Sequence, residues 1–168
     1  MRFILPIVVI IMLLLFPQRA YCADDINWMK ISFVEFDEYD NHWFSYIKMP
    51  LNPQVCTACQ AISATNYLLA LEKPNIYPYP YDIQVLGAFY RNGHISIHIY
   101  IPKGAYGGTM LERIYLGQIL KTLLNINGVE KVSIISDAPE GLYVREETSW
   151  HGLFAGIIDA PPASYALK

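Results

Sequence analysis

Charge is scarce in this chain. Asp, Glu, Lys and Arg together make up 16% of it, and no run of Lys or Arg forms a basic cluster. Without such a cluster the phosphate backbone of nucleic acid and an anionic lipid surface are poor electrostatic partners. Cysteine is also rare, at three residues, so no disulfide framework or multi-cysteine metal site is spelled out. No P-loop, GxGxxG, Ser/His/Asp set or paired-carboxylate helix motif occurs, and no repeat of fixed period is present. Long hydrophobic runs are missing beyond the first residues, so no second stretch approaches the roughly 20 residues that span a membrane. These absences predict a chain that is not an enzyme and needs no cofactor or metal.

The N-terminus is where the apolar residues concentrate. Arg2 is followed by the charge-free stretch Phe3 to Phe16, and Ala20 and Cys22 stand at the −3 and −1 positions of a small-residue cleavage site. Residues 1–22 therefore read as a cleaved signal peptide, with the mature chain starting at Ala23. A retained anchor and lipidation at Cys22 are the alternatives, but the apolar run is short for a span and Tyr21 is bulky for a lipoprotein site. Export predicts a periplasmic or otherwise extracytoplasmic location, with no membrane insertion of the mature chain. Without Arg2 and Arg19, ten basic residues face fifteen acidic ones, a net charge of −5. The remaining 146 residues suit one domain, 23–160, followed by a disordered tail at 161–168.

Strand and helix signals are clearest between Asn92 and Asp137. Ile95, Ile97, Ile99 and Ile101 alternate with polar residues, the period of a half-buried strand. Thr109 with Glu112 reads as a capping box after Gly107-Gly108. Leu111, Ile114, Tyr115, Ile119 and Leu123 then mark one helix face, which stops at Asn127-Gly128. Val129 to Ile135 is a β-branched strand, and Arg91-Asn92-Gly93 is the strongest hairpin turn.

Earlier, Ile31 to Phe36 and Trp43 to Met49 read as a strand pair across the turn at Asp40-Asn41. Asn52-Pro53 reads as the cap and first position of a helix running to Leu71. Ile83 to Tyr90 is another strand, and Leu142 to Val144 and Leu153 to Ile158 are candidate short ones. The fold class is α+β: a mostly antiparallel sheet with two helices on one face, in the order β-β-α-β-β-α-β plus a short β tail. The second helix joins two strands that lie parallel.

The chemically pointed motif is Cys56-Thr57-Ala58-Cys59. Its readings are a structural disulfide or buried thiols, a redox pair with Cys56 as nucleophile and Cys59 as resolving thiol, and a zinc half-site. A thioredoxin-like site places a strand directly before the motif, whereas Met49 to Pro53 reads as a cap. His94 and His98 lie on one face of a strand, too far apart for one ion, and Asp37, Glu38 and Asp40 do not match a calcium loop. Gly104 to Gly108 reads as a capped turn rather than an anion site.

Aromatic residues are plentiful, with 13 tyrosines against 7 phenylalanines. The run Pro74 to Tyr81 holds Tyr77, Tyr79 and Tyr81 on stiff extended backbone. It reads either as a loop whose tyrosines cover the core or as a recognition strip for a partner. Tyr77, Tyr79, Tyr81 and Trp43 are the candidate partner contacts, and Trp43 and Tyr79 are also candidates for contact with a glycan.

The element order and local motifs resemble the GerMN domain family, named from a spore germination and sporulation protein. Thr122-Leu123 through Gly128-Val129, Val132 and Ile134 is similar to the family segment TL-x-x-x-x-GV-x-x-V-x-I. Tyr90 to Ile97 looks like the family's hairpin before its central strand. His151-Gly152-Leu153 stands where the family has Gly-His, with the order reversed. The resemblance covers roughly Ile31 to Ile158 and is specific from Asn92 to Ile135. It implies an extracytoplasmic domain without established catalytic residues, similar to the ring-building modules of secretion assemblies. The expected role is thus a structural or accessory subunit of an envelope-spanning or ring-type assembly. Other envelope proteins are the expected partners, with a homo-oligomer or ring as one arrangement. The alternative is a periplasmic thiol-disulfide protein.

Overall fold

Alternating apolar residues become strands wherever a turn residue with positive φ lets the chain reverse. In a computed structural model, which describes residues 27–79, 82–102, 109–138 and 141–147, β1 (Asn27–Phe36) and β2 (His42–Leu51) form an antiparallel ribbon around Asp40, whose φ is 62°. Helix α1 (Thr57–Leu69) follows, then β3 (Gln84–Arg91) and β4 (His94–Tyr100), joined through Asn92 and Gly93 at φ 50° and 77°. Two successive positive φ values are what a primed hairpin turn requires, and Asn-Gly is the pair that adopts it most readily. Helix α2 (Thr109–Leu124) carries the chain to β5 (Lys131–Ala138), which lies parallel to β4, and β6 (Gly141–Glu147) closes the order antiparallel to β5.

The α+β class and the element order agree with the sequence reading. The strands divide into two sheets: a β1-β2 ribbon and a four-stranded sheet in the order β3-β4-β5-β6. Both sheets and both helices contribute to one cluster of buried side chains. Ile31 and Phe33 come from the ribbon, Leu68 from α1, Ile95, Ile97 and Ile99 from β4, and Ile114, Ile119 and Leu123 from α2. Burying each side chain of this size contributes about 1.5–3 kcal/mol. Among the described residues no helix is long and apolar enough to cross a membrane.

One boundary differs from expectation. Asn52 and Pro53 precede the helix without capping it; the Asn52 side chain accepts from the Gln54 N–H at 3.0 Å, and its carbonyl from Val55 N–H at 3.1 Å. They form an Asx turn, which uses the same residue pair as a helix start. The helix begins at Thr57, with Cys56 as its N-cap. Residues 1–22, expected as a signal peptide, Tyr81, Gly104 to Gly108, the strand expected at Leu153 to Ile158, His151 and the tail expected at 161–168 lie outside the described residues.

Candidate functional site: the strand edges

Most side chains singled out in the sequence are used to hold the molecule together. Tyr79 is buried: its hydroxyl donates to the Tyr115 carbonyl at 2.8 Å and accepts from Gln118 Nε2 at 3.1 Å. Burial pushes the Tyr79 phenol well above its ordinary pKa, although the Gln118 hydrogen bond works against that. Tyr115 returns the contact by donating to the Pro78 carbonyl at 3.0 Å. Tyr77 is half-buried, with its hydroxyl 2.8 Å from His42 Nε2 and its ring stacked on the imidazole. Trp43 is buried and donates from Nε1 to Glu35 at 3.1 Å. Thus Tyr79 and Trp43 stand inside the protein rather than on a surface a partner or glycan touches. The described part of the proline-tyrosine run is a strap over the core, because Tyr79 bonds the Tyr115 carbonyl, Tyr115 bonds the Pro78 carbonyl and Tyr77 bonds His42.

The Glu35 carboxylate sits at the edge of a cleft of about 700 Å³ lined by Phe36, Asp37, Trp43, Lys73 and Pro74. Burial raises its pKa, but hydrogen bonds from Ser45 and Lys73, the Lys73 charge and the Trp43 N–H outweigh this, so it lies below the ordinary value. Asp37 accepts from the Tyr39 and Asn41 N–H groups and the Asn41 amide, which explains the acidic turn without a cation. His94 Nε2 lies 2.7 Å from Ser133 Oγ, a contact within the sheet. Among the described residues no group of three His, Cys, Asp or Glu is placed to hold a metal.

Cys56 and Cys59 are joined as a disulfide, with Cα atoms 5.1 Å apart, and both residues are exposed. The Cys56 sulfur accepts from the Cys59 N–H at 3.1 Å, capping α1. A turn precedes the motif, since β2 ends at Leu51.

The strand edges separate the surface into finished and unfinished parts. The outer edge of β1 is closed from Lys30 to Phe36. Asn125 Nδ2 donates to the Lys30 carbonyl at 3.1 Å, and Thr122 Oγ1 accepts from Ser32 N–H at 2.9 Å and donates to the Ser32 carbonyl at 3.2 Å. Gln118 Oε1 accepts from Val34 N–H at 2.8 Å, and the Asn75 carbonyl accepts from Phe36 N–H at 3.0 Å. Gln118 and Thr122 lie on one face of α2, and Asn125 just past its end continues the line three residues on, so a polar stripe stands where a neighbouring strand would lie. The sequence reading missed this stripe, although polar residues at helical spacing inside and just after an apolar helix are a visible signal.

Edge strand β3 carries exposed Leu86 (51%) and Phe89 (64%). Its register shifts between Val85 and Gly87, a bulge that breaks the ladder. Edge strand β2 pairs with β1 over ten residues without a shift, and Tyr46 on it is 55% exposed.

No family model matches the chain, and no curated protein matches it. Solved structures do. The tandem GerMN domains of the sporulation protein GerM from Bacillus subtilis are similar at a TM-score of 0.48 and 11% identity, over 68% of this chain and 42% of that one. A candidate lipoprotein from Clostridium perfringens is similar at a TM-score of 0.39 and 18% identity, over 66% of this chain and 74% of that one. The chain spans less than half the length of the tandem-domain protein.

Proposed function

We propose that this chain is an exported, non-enzymatic docking domain of the cell envelope, a structural or accessory subunit that joins other envelope proteins in a larger assembly. The observation that carries this reading is the coincidence of edge strands with large exposed apolar side chains: Leu86 and Phe89 on β3, Tyr46 on β2, and Trp28 on β1 opposite Pro50. Exposed edges offer backbone groups to another chain, and exposed apolar residues beside them give that contact area. The test is gentle cross-linking in the native envelope followed by affinity recovery of the tagged full chain. Wild type and the Cys56→Ser/Cys59→Ser variant are expected to recover the same defined partners. Absence of any defined partner from both overturns the docking reading.

A second reading is favoured by the exposure of the Cys56–Cys59 disulfide at the start of α1. In it a thiolate of an envelope client attacks one sulfur and the pair is displaced through a mixed disulfide. The client's second thiol then completes a client disulfide and leaves Cys56 and Cys59 as two thiols. The helix N-terminus stabilises the Cys56 thiolate as leaving group. Recovery of scattered clients by wild type, lost in the double serine variant, is the outcome that replaces docking by thiol-disulfide exchange.

A further inference from the structure

Resting on the docking reading, we propose that the outer edge of β2 is a binding site for an extended acidic segment of a partner protein, taken up as an added β-strand. The direction of the backbone groups follows from the register. On β1 the even residues Lys30, Ser32 and Val34 turn their backbone toward α2. The odd residues therefore exchange hydrogen bonds with β2, where their partners Trp43, Ser45, Ile47 and Met49 are odd too. Tyr46 and Lys48 thus point N–H and C=O away from the ribbon, and among the described residues neither backbone has a partner. Pro50, the next residue of that parity, has no N–H and ends the ladder that an incoming strand can form.

The chemistry of the segment is set by cations gathered from three elements. Lys30 on β1 and Lys48 on β2 face each other across the ribbon and are both exposed. The Lys30 ammonium lies 4.8 Å from the centre of the Tyr46 ring, and that of Lys121 on α2 lies 4.1 Å from the centre of the Phe44 ring. Lys30 and Lys121 line a cleft of about 220 Å³ with Phe44, Tyr46 and Asn125. Among the described residues no carboxylate pairs with Lys30 or Lys48. The acidic residues of the hairpin, Glu35, Asp37, Glu38 and Asp40, sit at its other end. A positive patch on an otherwise acidic chain gives the edge a sign: carboxylate side chains of an added strand, glutamate above all, reach these ammonium groups while its backbone pairs with Tyr46 and Lys48. The same lysines oppose a second copy of the chain, because pairing β2 with β2 about a twofold axis brings like charges together.

Fluorescence anisotropy on the exported protein, purified from the envelope fraction, tests this with three labelled decapeptides. These are an alternating Glu/Val strand, its Lys/Val counterpart, and the Glu/Val strand interrupted by proline. Binding of the first alone supports the site. Lys48→Glu and Tyr46→Pro are expected to weaken it by about tenfold or more, while Tyr46→Val, which keeps the N–H, weakens it less. Thermal melts verify that each variant is folded. Equal binding of the interrupted peptide means charge attraction without strand pairing and overturns the proposal. So does recruitment to phosphatidylglycerol vesicles with no peptide binding, and so does a dimer by light scattering that Lys48→Glu changes. Cross-linking of Lys48→Glu in the envelope separates this site from the docking reading. If no peptide binds yet envelope partners are recovered, the β2 site falls and docking stands. If the acidic peptide binds but no envelope partner is recovered, docking falls and the edge chemistry stands.

Discussion

The two edges of the β1-β2 ribbon have the same length of strand and opposite fates. Along β1, side chains of α2 and of Asn125 just past its end supply the donors and acceptors that another strand would have supplied, so the backbone of Ser32 and Val34 is satisfied and buried. Along β2, Tyr46 and Lys48 keep theirs outward, beside an aromatic ring and lysines. The difference teaches that one fold can spend a helix on closing an edge and leave its twin for recognition, guarded from self-pairing by charge. The four-stranded sheet shows a third solution at β3, where a bulge interrupts the ladder.

The largest effect is expected from opening the closed edge. Gln118→Leu combined with Thr122→Val leaves the buried Ser32 and Val34 N–H groups without acceptors, and should cost about 4 kcal/mol in urea unfolding. Next comes a matched pair of prolines at residues that stand opposite each other. Ser32→Pro removes a buried hydrogen bond and should cost on the order of 3 kcal/mol, whereas Tyr46→Pro removes an N–H that faces solvent and should cost under about 1 kcal/mol. Equal losses at the two positions break the comparison between the edges. The smallest effect concerns the cluster that ties the two strands together at Glu35, Trp43 and Ser45. A carboxylate held below its ordinary pKa stabilises the folded state above the ordinary glutamate range. That contribution is lost as pH falls through the folded value. Glu35→Gln should therefore lower stability at neutral pH and flatten its loss on the acid side, as followed by thermal melts from neutrality down through the ordinary glutamate range and below it.

Much of the fold was legible because its signals are local. The Ile95 to Ile101 alternation, the Asn92-Gly93 turn and the apolar face of α2 each specify an element within a dozen residues. The false helix start at Asn52-Pro53 arose because an Asx turn and a capped first turn use the same pair. The division into two sheets was not legible, since pairing is decided by contacts between distant parts of the chain. The lysine patch was hidden for the same reason. Lys30, Lys48 and Lys121 are far apart in sequence, and reading along the chain suggested no basic cluster at all. The tyrosine strap was read two ways, and the carbonyls of Pro78 and Tyr115 decide for the covering loop.

The β3-β4 turn bears on how the molecule assembles in time. The Gly93 carbonyl accepts from both Glu130 N–H, at 2.7 Å, and Lys131 N–H, at 3.1 Å, at the point where β5 enters beside β4. A hairpin forms in about 1–10 μs, well before a parallel strand can return from the far end of a helix. The turn therefore stands ready as a starting mark that sets the alignment of the late-arriving strand. A substitution at Gly93 would blur that mark and strain the finished turn together, because its φ of 77° disfavours a side chain and a Cβ there would meet the Glu130 side chain at 3.3 Å.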